Sequence, residues 1–236
     1  MEMTSDPHAD NAAIRWSLLG LTAVTGIVDA VSFLGLGHIF TANMTGNVVF
    51  LGFAIGGVTG VSAGRSLTAL GAFACGGVCG GRISTRNLSP ARLLLLAMCL
   101  EALFLLVAVA STVPSRTSAS SVDYTVIVLT AVAMGLRNAV VRKLGVPDLT
   151  TTVLTMTMTG LAADSRPARG NSDRTATRML SIATMCVGAA CGAVLLGRFG
   201  LGSALGVAAL AVAGLSLFLY SNLRKTANAA AAVRRS

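Results

Sequence analysis

Apolar stretches long enough to cross a bilayer recur along this chain, and short breaks containing glycine, proline and charged residues separate them. An α-helix needs about 20 largely apolar residues to cross the roughly 30 Å hydrocarbon core of a membrane. The stretches closest to this length are 15–36, 66–83, 91–113, 123–141, 179–196 and 201–222. The pattern therefore predicts an all-α fold, a polytopic bundle with six full membrane spans.

Two shorter apolar segments begin with hydroxyl and amide side chains and fit this pattern less well. The segment 41–62 starts with Asn43, Thr45 and Asn47, and its apolar part is marginal in length for a full crossing. The segment 149–163 is rich in threonine and follows a second break. Each segment either crosses the membrane as a helix or enters it and returns to the side from which it came.

The two halves of the chain carry the same features in the same order. The sequence GIVDAV at 26–31 matches GLRNAV at 135–140, and a Thr-containing segment follows each of them. Later in each half, glycines recur four positions apart, a spacing that lets helix backbones approach closely in lipid. The glycines that we expect to pack helices together are Gly76, Gly80, Gly188 and Gly192. Three matching features at a nearly constant separation predict two tandem pseudo-repeats.

The domain organisation follows from these repeats and from the polar ends of the chain. We predict a disordered N-terminal tail at 1–14, a single membrane domain at 15–222 and a basic cytoplasmic tail at 223–236. Within the membrane domain, we predict repeat one at 15–113, a polar linker at 114–121 and repeat two at 122–222.

The composition supports a membrane protein and changes how the charge is interpreted. Only 11% of the residues are charged and 54% are hydrophobic, whereas soluble domains carry about 25% charged residues. A net charge of +9 would suggest nucleic-acid binding in a soluble protein. Beside apolar spans, basic residues instead predict cytoplasmic loops that face anionic lipid. We therefore expect a lipid bilayer as the partner and no nucleic acid, and we leave a homo-oligomer open.

The basic residues also favour six membrane crossings over eight. If the two polar segments return to their own side, most basic residues between the spans collect on the cytoplasmic side, together with both termini. They include Arg82, Arg86, Arg92, Arg142 and Lys143. Three crossings per half give the halves opposite orientations, the inverted repeat of many secondary transporters. Eight crossings with a parallel repeat are the alternative.

Asp29 is the charged residue that tells most about function. A carboxylate in a membrane span costs about 2.5–3.5 kcal/mol on insertion scales, so it needs a partner or a wet cavity. Its counterpart in the second repeat is Asn138, and Arg137 precedes that residue. If the halves pack about a pseudo-two-fold axis, these side chains approach one central region. Two interpretations stay open: a proton or cation site at Asp29, or a buried Asp29–Arg137 pair that holds the halves together.

Hydroxyl and amide side chains at the helix breaks are the second candidate. Such groups can replace water around a small polar solute or ion, and helix N-termini add amides that attract anions. We predict a substrate or ion pathway lined by Asp29, Asn43, Thr45, Asn47, Arg137, Asn138, Thr155 and Thr157. The alternative role of the polar side chains is hydrogen bonding between helices. For Glu101, we expect a contact with a glycine-rich helix rather than a proton relay.

The sequence lacks the motifs of common enzymes and metal sites. It contains no Walker loop, no Ser/His/Asp grouping, no H-E-x-x-H pattern and no dinucleotide-binding glycine pattern. The chain has two histidines, and its five cysteines lie in apolar runs without the spacing of metal ligands. We predict that the protein is not an enzyme and carries neither a metal nor a cofactor.

Three motifs of the chain resemble those of a known family. They are GIVDAVSFL from Gly26, NMTGN from Asn43 and GLRNAVVRKLGVPDLTTT from Gly135. They resemble the YoaK-like family of bacterial inner-membrane proteins of unknown function, and the resemblance covers 16–222. It implies a helical bundle whose number of spans is close to the six predicted here, and no established activity. The chain departs from the family pattern at Arg137, where an uncharged residue is expected, and at Met156, where a glycine would parallel Gly46.

Two hypotheses about function follow from these observations. The first is a permease for a small molecule or ion, with a central polar site between the two repeats. The alternative is a non-transporting membrane scaffold or assembly protein, in which the glycine-rich faces bind a partner helix. Access of water to Asp29 separates them, because a permease needs a wet site and a scaffold keeps this carboxylate dry.

Overall fold

The computed structural model describes residues 7–113, 119–145, 154–164 and 175–233, and over these residues the chain forms only helices joined by turns and loops. The helices are α1 (Pro7–Gly35), α2 (Met44–Ile55), α3 (Ala63–Ser84), α4 (Pro90–Ser111), α5 (Ala119–Leu144), α6 (Leu154–Ala163) and α7 (Thr175–Val233). Four helical segments in the described part are long and apolar enough to cross a membrane: Ala12–Gly35, Pro90–Ser111, Ser120–Leu144 and Thr175–Asn228. The predicted all-helical membrane fold is confirmed at this level.

The first helix begins earlier than expected. α1 starts at Pro7, within the tail 1–14 that the sequence predicts to be disordered. Proline suits the first turn of a helix, because the N–H that it lacks would have no partner there. Ala13 and Ile14 are buried against the core. Their packing explains why the helix extends beyond the predicted span, while 1–6 lie outside the described residues.

Two other helix ends also differ from the predicted boundaries. α5 begins at Ala119, inside the predicted linker 114–121, and its Val122 packs against the core. α7 continues to Val233, through most of the predicted basic tail 223–236. Leu223, in the first part of this tail, also packs against the core.

α7 is one long helix with a break in its backbone. Gly200 has φ 81° and ψ 177°, a conformation that glycine adopts readily and other residues avoid. The break divides α7 into a first arm, 175–199, and a second arm, 201–233. The helix contains 59 residues, and at 1.5 Å per residue each arm is about long enough to cross a bilayer. The two predicted spans 179–196 and 201–222 therefore correspond to the two arms.

α1 packs along the first arm of α7 at glycines on both helices. A Cβ atom added to Gly26 would collide with the backbone of Met185 on the first arm. In return, a Cβ at Gly188 would collide with the carbonyl of Ala23, and one at Gly192 would lie against the backbone of Ile27 on α1. Backbones this close leave no room for any side chain larger than hydrogen at these positions.

α3 and α5 form a second pair with the same contacts. A Cβ atom added to Gly135 on α5 would collide with the carbonyl of Phe73. A Cβ at Gly76 would collide with the carbonyl of Val132, and one at Gly80 with that of Leu136. In both pairs the residue numbers rise in the same direction along the two helices, so both pairs are parallel.

α4 completes the bundle by packing against α5 and α7. Its buried face carries Leu94, Met98 and Leu105, and the second arm of α7 buries Leu205 and Leu219. Lipid tails are as apolar as leucine, so these contacts stabilise the bundle through close packing rather than through exclusion of water.

Two helices are too short to cross a membrane. α2 has 12 residues and α6 has 10, which correspond to lengths of about 18 and 15 Å, against a hydrocarbon core of roughly 30 Å. α2 packs against α3, and α6 packs against α7. Each short helix therefore lies beside a longer helix and keeps an exposed apolar face, with Ile55 on α2 79% exposed and Met156 on α6 64% exposed.

Arg65 joins three helix ends on one side of the molecule. Its Nη1 donates a hydrogen bond of 2.8 Å to the carbonyl of Leu36, just after α1, and its Nη2 lies 2.9 Å from Oδ2 of Asp123 near the start of α5. Arg65 itself lies in the first turn of α3. The end of α1 and the beginnings of α3 and α5 therefore lie together.

The opposite side of the molecule holds a second set of contacts. Nη2 of Arg15 donates to Oγ1 of Thr177 at 3.4 Å, which joins the beginnings of α1 and α7. Nη1 of Arg178 donates to the carbonyl of Gly160 at 2.6 Å and to Oδ2 of Asp164 at 2.7 Å. The end of α6 therefore lies beside the beginning of α7.

Candidate functional site

Asn47 fixes the loop that connects α1 to α2. Its Oδ1 accepts a hydrogen bond of 2.9 Å from the backbone N–H of Phe40, and its Nδ2 donates to the carbonyl of the same residue at 2.6 Å. The Asn47 side chain is fully buried. An amide that satisfies both backbone groups of one residue holds the loop 36–43 in a single conformation, since each buried group left unpaired would cost about 1–3 kcal/mol.

Aromatic rings pack over the outer part of this loop. Phe33 and Phe40 stack with ring centroids 5.1 Å apart, and Phe50 lies 5.9 Å from Phe40. His38 meets the edge of Phe33 at 5.1 Å and has φ 58°, a left-handed conformation that is uncommon outside glycine. These rings, which we call the aromatic cluster, close the space between the end of α1 and α2.

Asp29 binds the backbone at the beginning of α2. Its Oδ1 accepts a hydrogen bond of 3.0 Å from the N–H of Ala42. The first N–H groups of a helix have no partner within the helix, and negative charge there is stabilising. The carboxylate of α1 therefore binds the backbone two residues before α2, near the positive end of that short helix.

Arg137 pairs with Glu101 and not with Asp29, so the expected Asp29–Arg137 pair is corrected. Nη1 of Arg137 lies 2.7 Å from Oε1 of Glu101, both side chains are fully buried, and Nη2 donates to Oγ1 of Thr25 at 2.6 Å. The contact expected between Glu101 and a glycine-rich helix is likewise replaced by this ion pair. A buried charge is costly without a partner of opposite charge, and Arg137 and Glu101 supply one to each other, whereas Asp29 accepts a hydrogen bond from the backbone at Ala42.

A cavity of about 830 Å³ lies between the beginnings of α2 and α6. α3 contributes Phe73 and Gly77 to its wall, the first arm of α7 contributes Met185, and α5 contributes Arg142. The volume lies within the range of small-molecule sites, about 300–1,000 Å³. The wall combines apolar surface with a few polar groups at the ends of two short helices.

Comparison with known proteins identifies the family. Residues 17–218 match the family described as "Protein of unknown function (DUF1275)". The chain is 38% identical over 192 residues to the UPF0700 transmembrane protein YoaK of Bacillus subtilis (strain 168). The aligned region covers 75% of this chain and 82% of that relative. The chain belongs to the DUF1275 family. The resemblance to YoaK-like proteins is thus confirmed, and no solved structure matches this DUF1275 protein.

In this DUF1275 protein, residues from both predicted repeats meet at the cavity. The predicted pathway residues that line it are Asp29, Asn43, Thr45, Asn138 and Thr155. The first three come from α1 and the beginning of α2, and the last two come from α5 and α6. Asp29 and Asn138 thus contribute to the same wall.

Three other predicted pathway residues lie elsewhere in the DUF1275 protein. Asn47 binds the loop backbone at Phe40, and Arg137 binds Glu101. Thr157 is buried and does not belong to the described wall of the cavity. Thus only part of the predicted pathway set lines one space.

Sequence analysis also missed wall residues of the DUF1275 protein. Arg142 was noted for its charge alone, although it follows Asn138 by one helical turn and so lies on the same face of α5. Phe73 and Met185 each precede a packing glycine by three residues, at Gly76 and Gly188. The spacing from the repeated glycines is the signal that could have identified this apolar part of the wall.

Among the described residues, no group of three or more His, Cys, Asp or Glu side chains could hold a metal ion. The polar groups of the cavity wall are instead amides, hydroxyls, one carboxylate and one guanidinium. Such groups can bind a small solute through hydrogen bonds and charge.

Proposed function

We propose that this protein is a permease for a small polar solute or ion in the bacterial inner membrane, without enzymatic activity. The observation that carries the proposal is the central cavity between the beginnings of α2 and α6, where polar side chains from both halves meet. Transporter sites form where discontinuous helices end inside the membrane and where irregular backbone lines a cavity rather than lipid. The contacts at α2 and α6 fit this arrangement.

Six membrane crossings are part of the proposal: α1, α3, α4, α5 and the two arms of α7. If α2 crossed the bilayer, Arg65 and Leu36 would lie on opposite sides, about 30 Å apart. Their hydrogen bond of 2.8 Å instead supports a segment that enters and returns. α2 is then a re-entrant helix, reached through the loop that Asn47 holds.

The same argument supports a re-entrant α6 on the other side. α5 begins beside the end of α1, at the Arg65–Asp123 pair, so α5 ends on the side where α1 begins. α7 begins on that side too, at the Arg15–Thr177 contact. The segment from Gly145 to the start of α7 therefore leaves and rejoins the same side, which supports entry of α2 and α6 from opposite faces.

An internal inverted repeat accounts for these features together. Each half supplies one helix of the GIVDAV type, one short re-entrant helix and one glycine-rich helix. The glycine contacts of α1 with the first arm of α7 recur between α5 and α3. Inverted repeats with a site near the bilayer centre are common in secondary transporters.

The positive-inside rule gives the proposed orientation. The ends of α3 and α5 carry Arg82, Arg142 and Lys143. Basic residues beside spans collect in the cytoplasm. We therefore place these helix ends, and both termini, on the cytoplasmic side.

The scaffold alternative required glycine faces that are open to a partner helix. Gly76 and Gly80 instead contact α5, and Gly188 and Gly192 contact α1. These faces are occupied by helices of the same chain, so the observation that favoured a scaffold is lost.

Access of water to the cavity tests the permease proposal. In a cysteine-free variant, we would introduce Ala139→Cys, which lines the cavity, and Val128→Cys as the matched control on the outer face of α5, where Val128 is 40% exposed. We expect a membrane-impermeant thiol reagent to label only the cysteine at 139, because lipid excludes the reagent from position 128. An unreactive cysteine at 139, from both sides of the membrane, would indicate a dry site and contradict the permease.

A further inference from the structure

The described wall of the central cavity carries two charged side chains, Asp29 and Arg142. The two side chains differ in their hydrogen-bond partners. Asp29 is 6% exposed and accepts a hydrogen bond from the backbone that precedes α2. This carboxylate is therefore largely withdrawn from the cavity and has a backbone hydrogen-bond donor of its own.

The side chain of Arg142 has no such partner among the described residues. Its side chain is exposed in the last turn of α5, and it forms no hydrogen bond or ion pair with the residues that the structure describes. The neighbouring charge of Arg137 is taken up by Glu101. Thus the cavity wall carries one guanidinium whose charge no described protein group balances.

Arg142 also stands where the cavity meets a second, smaller one. This second cavity, about 350 Å³, lies between the ends of α3 and α5 and shares Ala139 and Arg142 with the central cavity. Ser84, Thr85 and Lys143 complete its wall. The two cavities are therefore adjacent at Ala139 and Arg142, beside the basic ends of α3 and α5.

The loop between α1 and α2 is held in place by several side-chain contacts. The loop 36–43 is held by Asn47, and the stacked rings of the aromatic cluster cover it. Arg65 fixes the beginning of α3 against the end of α1 on that side.

On the basis of the permease proposal, we propose that the transported solute is a small anion and that Arg142 binds it at the cytoplasmic mouth of the cavity. A guanidinium offers paired N–H donors that match a carboxylate or phosphate group. Asn138, one turn before Arg142 on α5, and Thr155 on α6 supply amide and hydroxyl groups farther along the wall. A cation at this position would meet the positive charge of Arg142, whereas the one carboxylate of the described wall, Asp29, is 6% exposed and is hydrogen-bonded to the N–H of Ala42.

The test uses the full-length protein in vesicles of phosphatidylethanolamine and phosphatidylglycerol. Uptake of labelled acetate, inorganic phosphate, methylammonium and glycerol is measured against vesicles without protein. We expect uptake of acetate or phosphate and exclusion of methylammonium. Uptake of methylammonium or glycerol without either anion would overturn the anion inference and leave the permease proposal intact.

Variants assign the effect to Arg142. We expect Arg142→Gln to lower anion uptake about tenfold, the effect of losing one charge-assisted hydrogen bond of roughly 1.5 kcal/mol, and Arg142→Lys to retain most of it. The matched control is Arg82→Gln, which removes one exposed charge at the end of α3 and should leave uptake unchanged. Equal uptake by wild type and Arg142→Gln would contradict the role of Arg142.

A binding measurement separates failure of this inference from failure of the permease proposal. The Tm of the purified protein is measured in detergent with and without acetate or phosphate. A rise in Tm that Arg142→Gln abolishes, without uptake of any solute, would support the anion site and overturn the permease. Neither uptake nor a rise in Tm would overturn both. An unchanged Tm of Arg142→Gln without anion confirms that the variant is folded.

Discussion

Arg137 and Glu101 carry opposite charges at a depth where neither side chain reaches solvent, and each compensates the other. Their 2.7 Å contact joins α5 to α4, and the bond from Arg137 to Thr25 adds α1. Oε2 of Glu101 and Nε of Arg137 have no hydrogen-bond partner among the described residues. Removal of only one partner would leave a bare charge in a dry environment, whereas removal of both leaves none.

This asymmetry gives a prediction about stability. Glu101→Gln or Arg137→Gln alone should destabilise the protein by about 3–5 kcal/mol, the cost of an uncompensated buried charge. The double variant should be more stable than either single variant, because both charges are gone. Thermal unfolding in detergent, arranged as a double-mutant cycle, measures the coupling. Additive losses in the double variant would show that the pair contributes no coupling.

The Arg137–Glu101 pair also shows what residue-level prediction could and could not reach. The need of a buried charge for a partner is visible in the sequence, and it led to the expectation that Arg137 would meet Asp29. The choice of Glu101 depends on which face of α4 meets α5, and no local pattern specifies that face. Asp29 was likewise recognised as a special residue, but its partners are backbone groups of a loop whose path depends on Asn47 and the aromatic cluster.

At the scale of helices, the glycine spacing predicted close packing, and the structure determines which helices meet. The sequence analysis found Gly76, Gly80, Gly188 and Gly192 from their spacing, because small residues four positions apart form one helix face. It did not identify the partner helices, since spacing within one helix carries no information about the helix opposite. The partners α5 and α1 carry glycines of their own, Gly135 and Gly26, at the matching contacts.

Adjacent glycines on α3 offer a direct comparison. A Cβ at Gly80 would collide with the carbonyl of Leu136, whereas one at Gly81 would meet no atom within 4 Å. Gly80→Ala should therefore destabilise the α3–α5 pair by about 1–3 kcal/mol, the usual cost of overpacking. Gly81→Ala should leave stability unchanged or raise it slightly, because alanine favours helix over glycine. Unfolding in detergent compares them, and equal effects of the two substitutions would contradict the packing.

At the scale of the whole molecule, two short helices and the ends that flank them determine the topology. The basic residues of the sequence favoured six crossings. Eight crossings stayed open as an alternative, because the lengths of the two polar segments suit neither a full crossing nor a re-entrant segment well. The alternatives differ in the position of Arg65 relative to Leu36, a contact between residues that lie far apart in the chain. Only the three-dimensional structure contains that contact.

Labelling of single cysteines tests the proposed topology. Thr59 is exposed in the turn between α2 and α3, and Arg86 is exposed after α3. With six crossings, Thr59→Cys should be labelled from outside the cell and Arg86→Cys from the cytoplasm. With eight crossings, the two sides exchange. The same impermeant reagent on intact cells and on inverted vesicles distinguishes the outcomes.

The cross-packing of the halves has a consequence for biosynthesis. α1 leaves the ribosome first, yet its glycine face at Gly26 contacts Gly188 and its neighbours on α7, which are translated much later. At about 5–20 residues per second, α1 waits roughly 10–30 seconds in the membrane before that partner exists. During this interval the insertion machinery or other parts of the nascent chain must shield the carboxylate of Asp29 and the glycine face of α1 from lipid. Neither half can complete its packing alone, because the first helix of each half packs against the glycine-rich helix of the other half.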